Sequence, residues 1–152
     1  MAESSEVQPR GCLQIQAGDF VLEKLVGEGA FGRVYLGKHK ATGGYAAVKV
    51  AKEDRCPRKT EVQAAMIARE AGILRALHHK NVVAIYRGGD LRSSNMLAME
   101  YILGVDLSRF LSSPRPFTEE EASQVIKAIL SGLSHIHQRG YVHRDLKPSS
   151  LD

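Results

Sequence analysis

Cysteine pairs, long apolar runs and blocks of like charge are all missing from this sequence, and each absence removes a class of protein. Cys12 and Cys56 are the only cysteines, far apart and without C-x-x-C spacing, which argues against a disulfide framework or a zinc site and for thiols in a reducing compartment. No apolar run approaches membrane-spanning length, no apolar stretch of signal-peptide type lies in the first twenty residues, and Ala2 stands where myristoylation needs glycine. A soluble, cytoplasmic protein without a membrane partner is expected. Lys and Arg number 21 against 17 Asp and Glu, so the net charge of +4 is modest, and it is scattered. The five Tyr and four Phe do not interleave with the basic residues, so nucleic acid is not an expected partner either. Internal repeats and low-complexity tracts are absent. What remains is a chain of 152 residues, 43% apolar, enough for one ordinary core.

Residues 1–18 show neither helical nor strand periodicity and read as a disordered tail, with structure expected from Asp19 onward. Three short runs rich in β-branched and aromatic residues follow, at 20–26, 33–39 and 45–51, separated by glycine-rich turns too short for a parallel crossover. They predict an antiparallel meander. After Pro57, the spacing of Met66, Glu70, Ile73, Leu74 and Leu77 predicts a helix over 59–77. Two more strand-like runs, 82–86 and 96–101, flank a polar turn at 87–95, so 19–101 forms a first lobe and 102–105 a hinge. Residues 106–152 begin a helical part. A short helix at 106–111 stops before Pro114 and Pro116, and a long one starts at Thr118-Glu119-Glu120-Glu121, a capping box. Its apolar stripe, Val125, Ile126, Ile129, Leu130, Leu133 and Ile136, runs to Gly140, placed to end the helix.

The chemistry-bearing residues start with Gly27-Glu28-Gly29-Ala30-Phe31-Gly32-Arg33-Val34. A G-x-G-x-x-G in a dinucleotide fold opens a helix, whose N-terminus meets the pyrophosphate. Here the strand-like Val34-Tyr35-Leu36 follows, which suits a flap closing over a nucleotide's phosphates. Ala46-Ala47-Val48-Lys49 puts an ammonium on the third strand, and Glu70 lies 21 residues later on the inward side of the predicted helix. A strand lysine held by a helical glutamate can grip two phosphates, a task a mobile surface lysine does badly.

With these motifs in this order, the chain resembles the first half of a eukaryotic protein kinase domain, from about Asp19 to Pro148. The resemblance implies an α+β fold: a five-stranded antiparallel sheet with one large helix, then the first helices of a helical C-lobe. It implies ATP and Mg²⁺ as cofactors and a protein substrate or regulatory protein as partner. It makes Gly27 to Gly32 the phosphate flap, with Glu28, Ala30 and Phe31 between the glycines. Val26, Val34 and Ala47 become the roof of the adenine pocket, Lys49 with Glu70 the phosphate grip, and Met99 the gatekeeper. Glu100 and Tyr101 become backbone partners of adenine, and Asp106 a ribose ligand. His143-Arg144-Asp145 matches the catalytic loop, where Asp145 would take the proton of a substrate hydroxyl and Lys147 would neutralise the transferred phosphoryl. A lysine two places after that aspartate resembles the serine/threonine kinases, and Phe117-Thr118-Glu119-Glu120-Glu121-Ala122-Ser123 is similar to the calcium/calmodulin-dependent type.

The resemblance ends after Pro148. Ser150 stands where the family has a metal-binding Asn, Asp152 where it has an apolar residue flooring the adenine pocket, and no Asp-Phe-Gly occurs. This ending is expected to leave the chain with little phosphotransfer, as a truncated kinase domain or as a non-catalytic kinase-like module that binds a regulator.

Overall fold

The structure, a computed structural model, describes residues 15–29, 32–52, 55–86 and 96–150. The predicted tail up to residue 14, Cys12, the flap tip at Ala30 and Phe31, the turn at 87–95 and Asp152 lie outside the described residues. Five strands form one antiparallel meander in chain order: β1 (Ile15–Ala17), β2 (Phe20–Glu28), β3 (Arg33–His39), β4 (Tyr45–Val50) and β5 (Met96–Glu100). Between β4 and β5 lies α1 (Pro57–Ala76), and α2 (Leu107–Leu111), α3 (Glu119–Gln138) and a single 3₁₀ turn (Pro148–Ser150) follow.

The strand count agrees with the sequence, but its membership differs in two places. Ile15–Ala17 pairs with Phe20, Val21 and Leu22 across a turn at Gly18, whose φ of +54 needs a residue without a Cβ, so structure starts before Asp19. Residues 82–86 do not form a strand. They meet β5 through an isolated bridge between Ile85 and Met99, two flanking bonds, from Tyr86 N to Ala98 O and from Glu100 N to Ala84 O, and one from Ala84 N to Glu100 Oε1. The Val82 amide donates instead to His79 O, closing a turn after α1. Tyr141 and Val142, just before His143, carry no ladder either.

Alternation along the strands divides the sheet into two faces, each with its own core. One face gathers Phe20, Leu22, Ala46, Val48, Met96 and Ala98, with the Phe20 ring edge-on to His39 and to Tyr86. The opposite face carries Leu97 and Met99, and there Ile67 and Ala71 of α1 pack down. Ile67 and Leu97 are fully buried, each worth about 1.5–3 kcal/mol of transfer free energy. This second face matters for function, because the cross-strand register puts Lys49 on it, between Val34 and Leu97.

α1 starts two residues earlier than predicted, at Pro57 itself, which occupies the first position, where a missing amide costs nothing. The capping box of α3 forms as read: Thr118 Oγ1 accepts from Glu121 N at 3.2 Å, and Glu121 Oε2 accepts from Thr118 N at 3.0 Å. Arg115 adds a guanidinium to the same carboxylate, at 2.5 Å. Gly140, with φ +80, lies just past the helix end. Along the stripe, Val125, Ile129, Leu133 and Ile136 are half-buried, whereas Ile126 and Leu130 face solvent. No helix among the described residues is long and apolar enough to cross a membrane.

Candidate active site

The ion pair expected from the sequence forms. Lys49 Nζ lies 2.5 Å from Glu70 Oε2, joining the end of β4 to the fourth turn of α1. The lysine side chain keeps 19% of its exposure and the glutamate 40%, so the pair is partly sheltered yet open on one side. Strand parity brings the lysine there, since Val34, Lys49 and Leu97 are direct cross-strand neighbours. Two pairs further along come Leu36, Ala47 and Met99, so Val34, Ala47 and Met99 share the lysine's face. Val26 falls in a register shift between Leu25 and Gly27, and its side chain is exposed.

The three glycines of the flap have different duties. Gly29 N donates to Gly32 O at 2.9 Å and closes the turn. A Cβ on Gly27 or Gly29 would meet nothing within 4 Å, so open space lies beside both backbones. On Gly32 it would meet Val50 O at 2.6 Å and an Ile67 methyl at 3.5 Å, so this glycine lets the flap's second strand lie against β4 and α1. Two cations unannounced by any motif brace the flap's first strand. Glu28 accepts from Lys52 at 2.7 Å and from Arg33 at 3.3 Å. Its carboxyl is held below the usual range first by the Lys52 hydrogen bond and then by Arg33. The signal for this brace was one acidic residue between the glycines, with bases at the starts of β3 and after β4.

At the predicted adenine edge the Glu100 amide is engaged with Ala84 O, so a base contact from Glu100 would fall to its carbonyl. Tyr101 follows directly, at the end of β5. Asp106 caps α2: its Oδ1 accepts from Arg109 N at 2.9 Å, so one carboxylate oxygen already has a local task.

The residues predicted to form a catalytic loop gather in their own small turn. Arg144 has φ +67, the sole non-glycine value of that kind among the described residues, and the bend turns Asp145 outward. Asp145 Oδ2 accepts from Lys147 Nζ at 2.7 Å, and this hydrogen bond, before the lysine's charge, holds its carboxyl below the usual carboxylate range. Ser150 closes the turn by accepting from Lys147 N at 3.2 Å and donating to Lys147 O at 2.8 Å. Its hydroxyl is therefore directed at the backbone. An open cavity of about 830 Å³ separates this turn from α1, and Glu70, Leu77, Leu133, Ile136, His143 and Arg144 contribute to its lining. Asp145 is not part of that lining.

The residues fit a nucleoside triphosphate better than a metal. Space beside Gly27 and Gly29, the braced flap and the Lys49–Glu70 pair would suit phosphates. Among the described residues no three His, Cys, Asp or Glu side chains are placed to hold a metal ion, and Ser150 is turned inward, so they do not make a magnesium site.

Comparison with known proteins agrees with this geometry. Residues 20–151 match the family model described as protein kinase domain. Calcium-dependent protein kinase 4 of Plasmodium berghei is 35% identical over 128 residues, covering 84% of this chain and 24% of that protein. CBL-interacting protein kinase 30 of Oryza sativa subsp. japonica is 33% identical, with coverages of 91% and 29%. The Arabidopsis thaliana "Probable serine/threonine protein kinase IRE" is 34% identical over 148 residues. The chain spans 24% to 29% of the length of the first two relatives. The fold matches the Mycobacterium tuberculosis PknI kinase domain with a TM-score of 0.67 at 24% identity, over 93% of this chain and 57% of that one. A meander carrying the Lys49–Glu70 pair under a glycine flap, the family match over residues 20–151 and the shared fold converge, and the chain belongs to the protein kinase family.

Proposed function

We propose that the chain provides the phosphate-gripping side of a serine/threonine protein kinase active site, in which ATP donates its γ-phosphoryl group to a protein Ser or Thr hydroxyl. The observation that carries this reading is the Lys49–Glu70 pair on the sheet face beneath the flap. Glu70 holds the ammonium in one place, so Lys49 meets the α- and β-phosphates without first losing side-chain freedom. The flap amides close over the phosphates where Gly27 and Gly29 leave room, and Glu28, tied to Lys52 and Arg33, keeps the flap's first strand from lifting. Val34, Ala47 and Met99 would flank the base. Asp145, ionised well below neutral pH, accepts the substrate hydroxyl's proton, while Lys147 faces the departing charge. The terminal phosphate of ATP supplies the group transferred. Magnesium ligands would have to come from outside the described residues.

A second reading has its own observation. With Ser150 engaged in its turn and no metal cluster among the described residues, the chain would serve as a non-catalytic kinase-like module that binds a regulatory protein. A chimera separates the two: residues 1–148 continued into a protein kinase C-lobe with its Asn and Asp-Phe-Gly. The first reading expects radiolabel transfer to a serine substrate, and Asp145→Asn should keep ATP binding while lowering turnover by roughly 10²–10⁴-fold. A folded, ATP-binding chimera without activity, or one indifferent to Asp145→Asn, contradicts the first reading.

A further inference from the structure

The loop between α1 and β5 is fastened to α3 by a pair of histidines 56 positions apart in the chain, which no motif of the sequence marks. The His79 and His135 rings stack with centroids 5.2 Å apart and planes 26° from parallel. Two backbone amides fix their chemistry. His78 N lies 3.3 Å from His135 Nε2, and Asn81 N lies 3.1 Å from His79 Nδ1. A backbone N–H only donates, so each of these ring nitrogens must present a lone pair. His79 is then the Nε2–H tautomer, with that hydrogen directed at Ser131 Oγ, 3.2 Å away, and His135 is the Nδ1–H tautomer.

We infer that His79 and His135 are positioning residues, an interlock that ties the helix bearing Glu70 to the helix leading into Asp145 only while both rings are unprotonated. A proton on either ring removes the acceptor of one backbone amide. It also puts a cation into a stack already flanked by bases. The basic groups that face His135 are Arg139, at the end of its own helix, and His79 and His78 on the loop. Arg139 itself donates to Ala76 O at 2.9 Å, at the end of α1. Loop and helix have no slack beside the stack, since a Cβ on Gly132 would meet Asn81 O at 2.8 Å. Partial desolvation first, and then Arg139, His79 and His78, hold the His135 pKa below the ordinary imidazole value. The sign follows. Above the ordinary imidazole pKa the interlock is fully formed; as pH falls below it, the undocked state takes up the proton first, and the docking weakens until the lowered pKa is passed. On the kinase reading, mild acid would loosen Glu70 from the catalytic turn. The interlock itself does not depend on that reading.

Nitrogen-15 NMR of the 152-residue chain tests it without any activity measurement. At about pH 7.5 the long-range imidazole spectrum should show His135 as Nδ1–H and His79 as Nε2–H. Hydrogen-exchange protection of the His78 and Asn81 amides, corrected for intrinsic rate, should fall about tenfold between roughly pH 7.5 and 5.5. His135→Gln keeps an acceptor that does not titrate, so the pH-dependent loss at the His78 amide should largely vanish in that variant. Opposite tautomers, protection independent of pH in the parent chain, or an undiminished loss in His135→Gln would each overturn the inference. The tautomer readout uses no variant, so a folding defect in His135→Gln cannot mask the answer.

Discussion

Gly29 and Gly32 sit three residues apart in one flap, yet alanine should harm them in opposite ways. At Gly32 the new methyl would stand 2.6 Å from Val50 O, closer than a Cβ approaches an oxygen in real structures, and 3.5 Å from Ile67. The obstacle is backbone, at the end of β4, and cannot swing aside as a side chain would. Overpacking of this kind costs about 1–3 kcal/mol, offset by about 0.4–1 kcal/mol from the lowered entropy of the unfolded chain. Gly32→Ala should therefore lose about 1–2 kcal/mol in urea unfolding and lower the thermal midpoint by roughly 3–8 °C. Gly29→Ala meets nothing within 4 Å and should stay within about 0.5 kcal/mol of the parent. Its methyl fills the space assigned to phosphates, so ATP affinity should drop by about fivefold to tenfold, near 1 kcal/mol. A Gly32→Ala protein as stable as the parent, or a Gly29→Ala protein that binds ATP unchanged, would refute this division of labour.

Other outcomes are equally specific. Leu97→Ala, which opens a hole between α1 and the sheet, should lose about 2–5 kcal/mol by chemical denaturation. Thr118→Ala, removing one half of the capping box, should lose about 1 kcal/mol and raise hydrogen exchange in the first turn of α3. The Asp145 carboxyl, lowered chiefly by its hydrogen bond from Lys147, should titrate by carbon-13 NMR below the ordinary carboxylate value and return toward it in Lys147→Met. Because that folded pKa is depressed, any stability it contributes is present above the ordinary value and fades as pH falls through the lowered one.

The parts legible in the sequence were those written in a local period. Alternation in β4 put Ala47 and Lys49 on one side, helical spacing put Glu70 inward, and Thr118 with Glu121 announced the start of α3. Residues 82–86 misled because β-branched composition reports fitness for a pleated surface, whereas the tertiary fold used Val82 to close the turn after α1. Ile15–Ala17 was too short to carry a period at all. The Glu28 brace and the His79–His135 stack are long-range matches between side chains, one across three strands and one between a loop and a helix, and periodicity is blind to both. For Asp106 and Glu100 the sequence did not show that part of their hydrogen-bonding capacity is used at home.

Calorimetric titration of ATP into the parent chain and into Lys49→Met tests the central claim most directly. If the Lys49–Glu70 pair is a phosphate grip, the parent should bind ATP weakly and the variant, folded equally well, about tenfold more weakly still, with adenosine indifferent to the change. Equal ATP affinity in the two proteins, or an equal loss for ATP and adenosine, would contradict it.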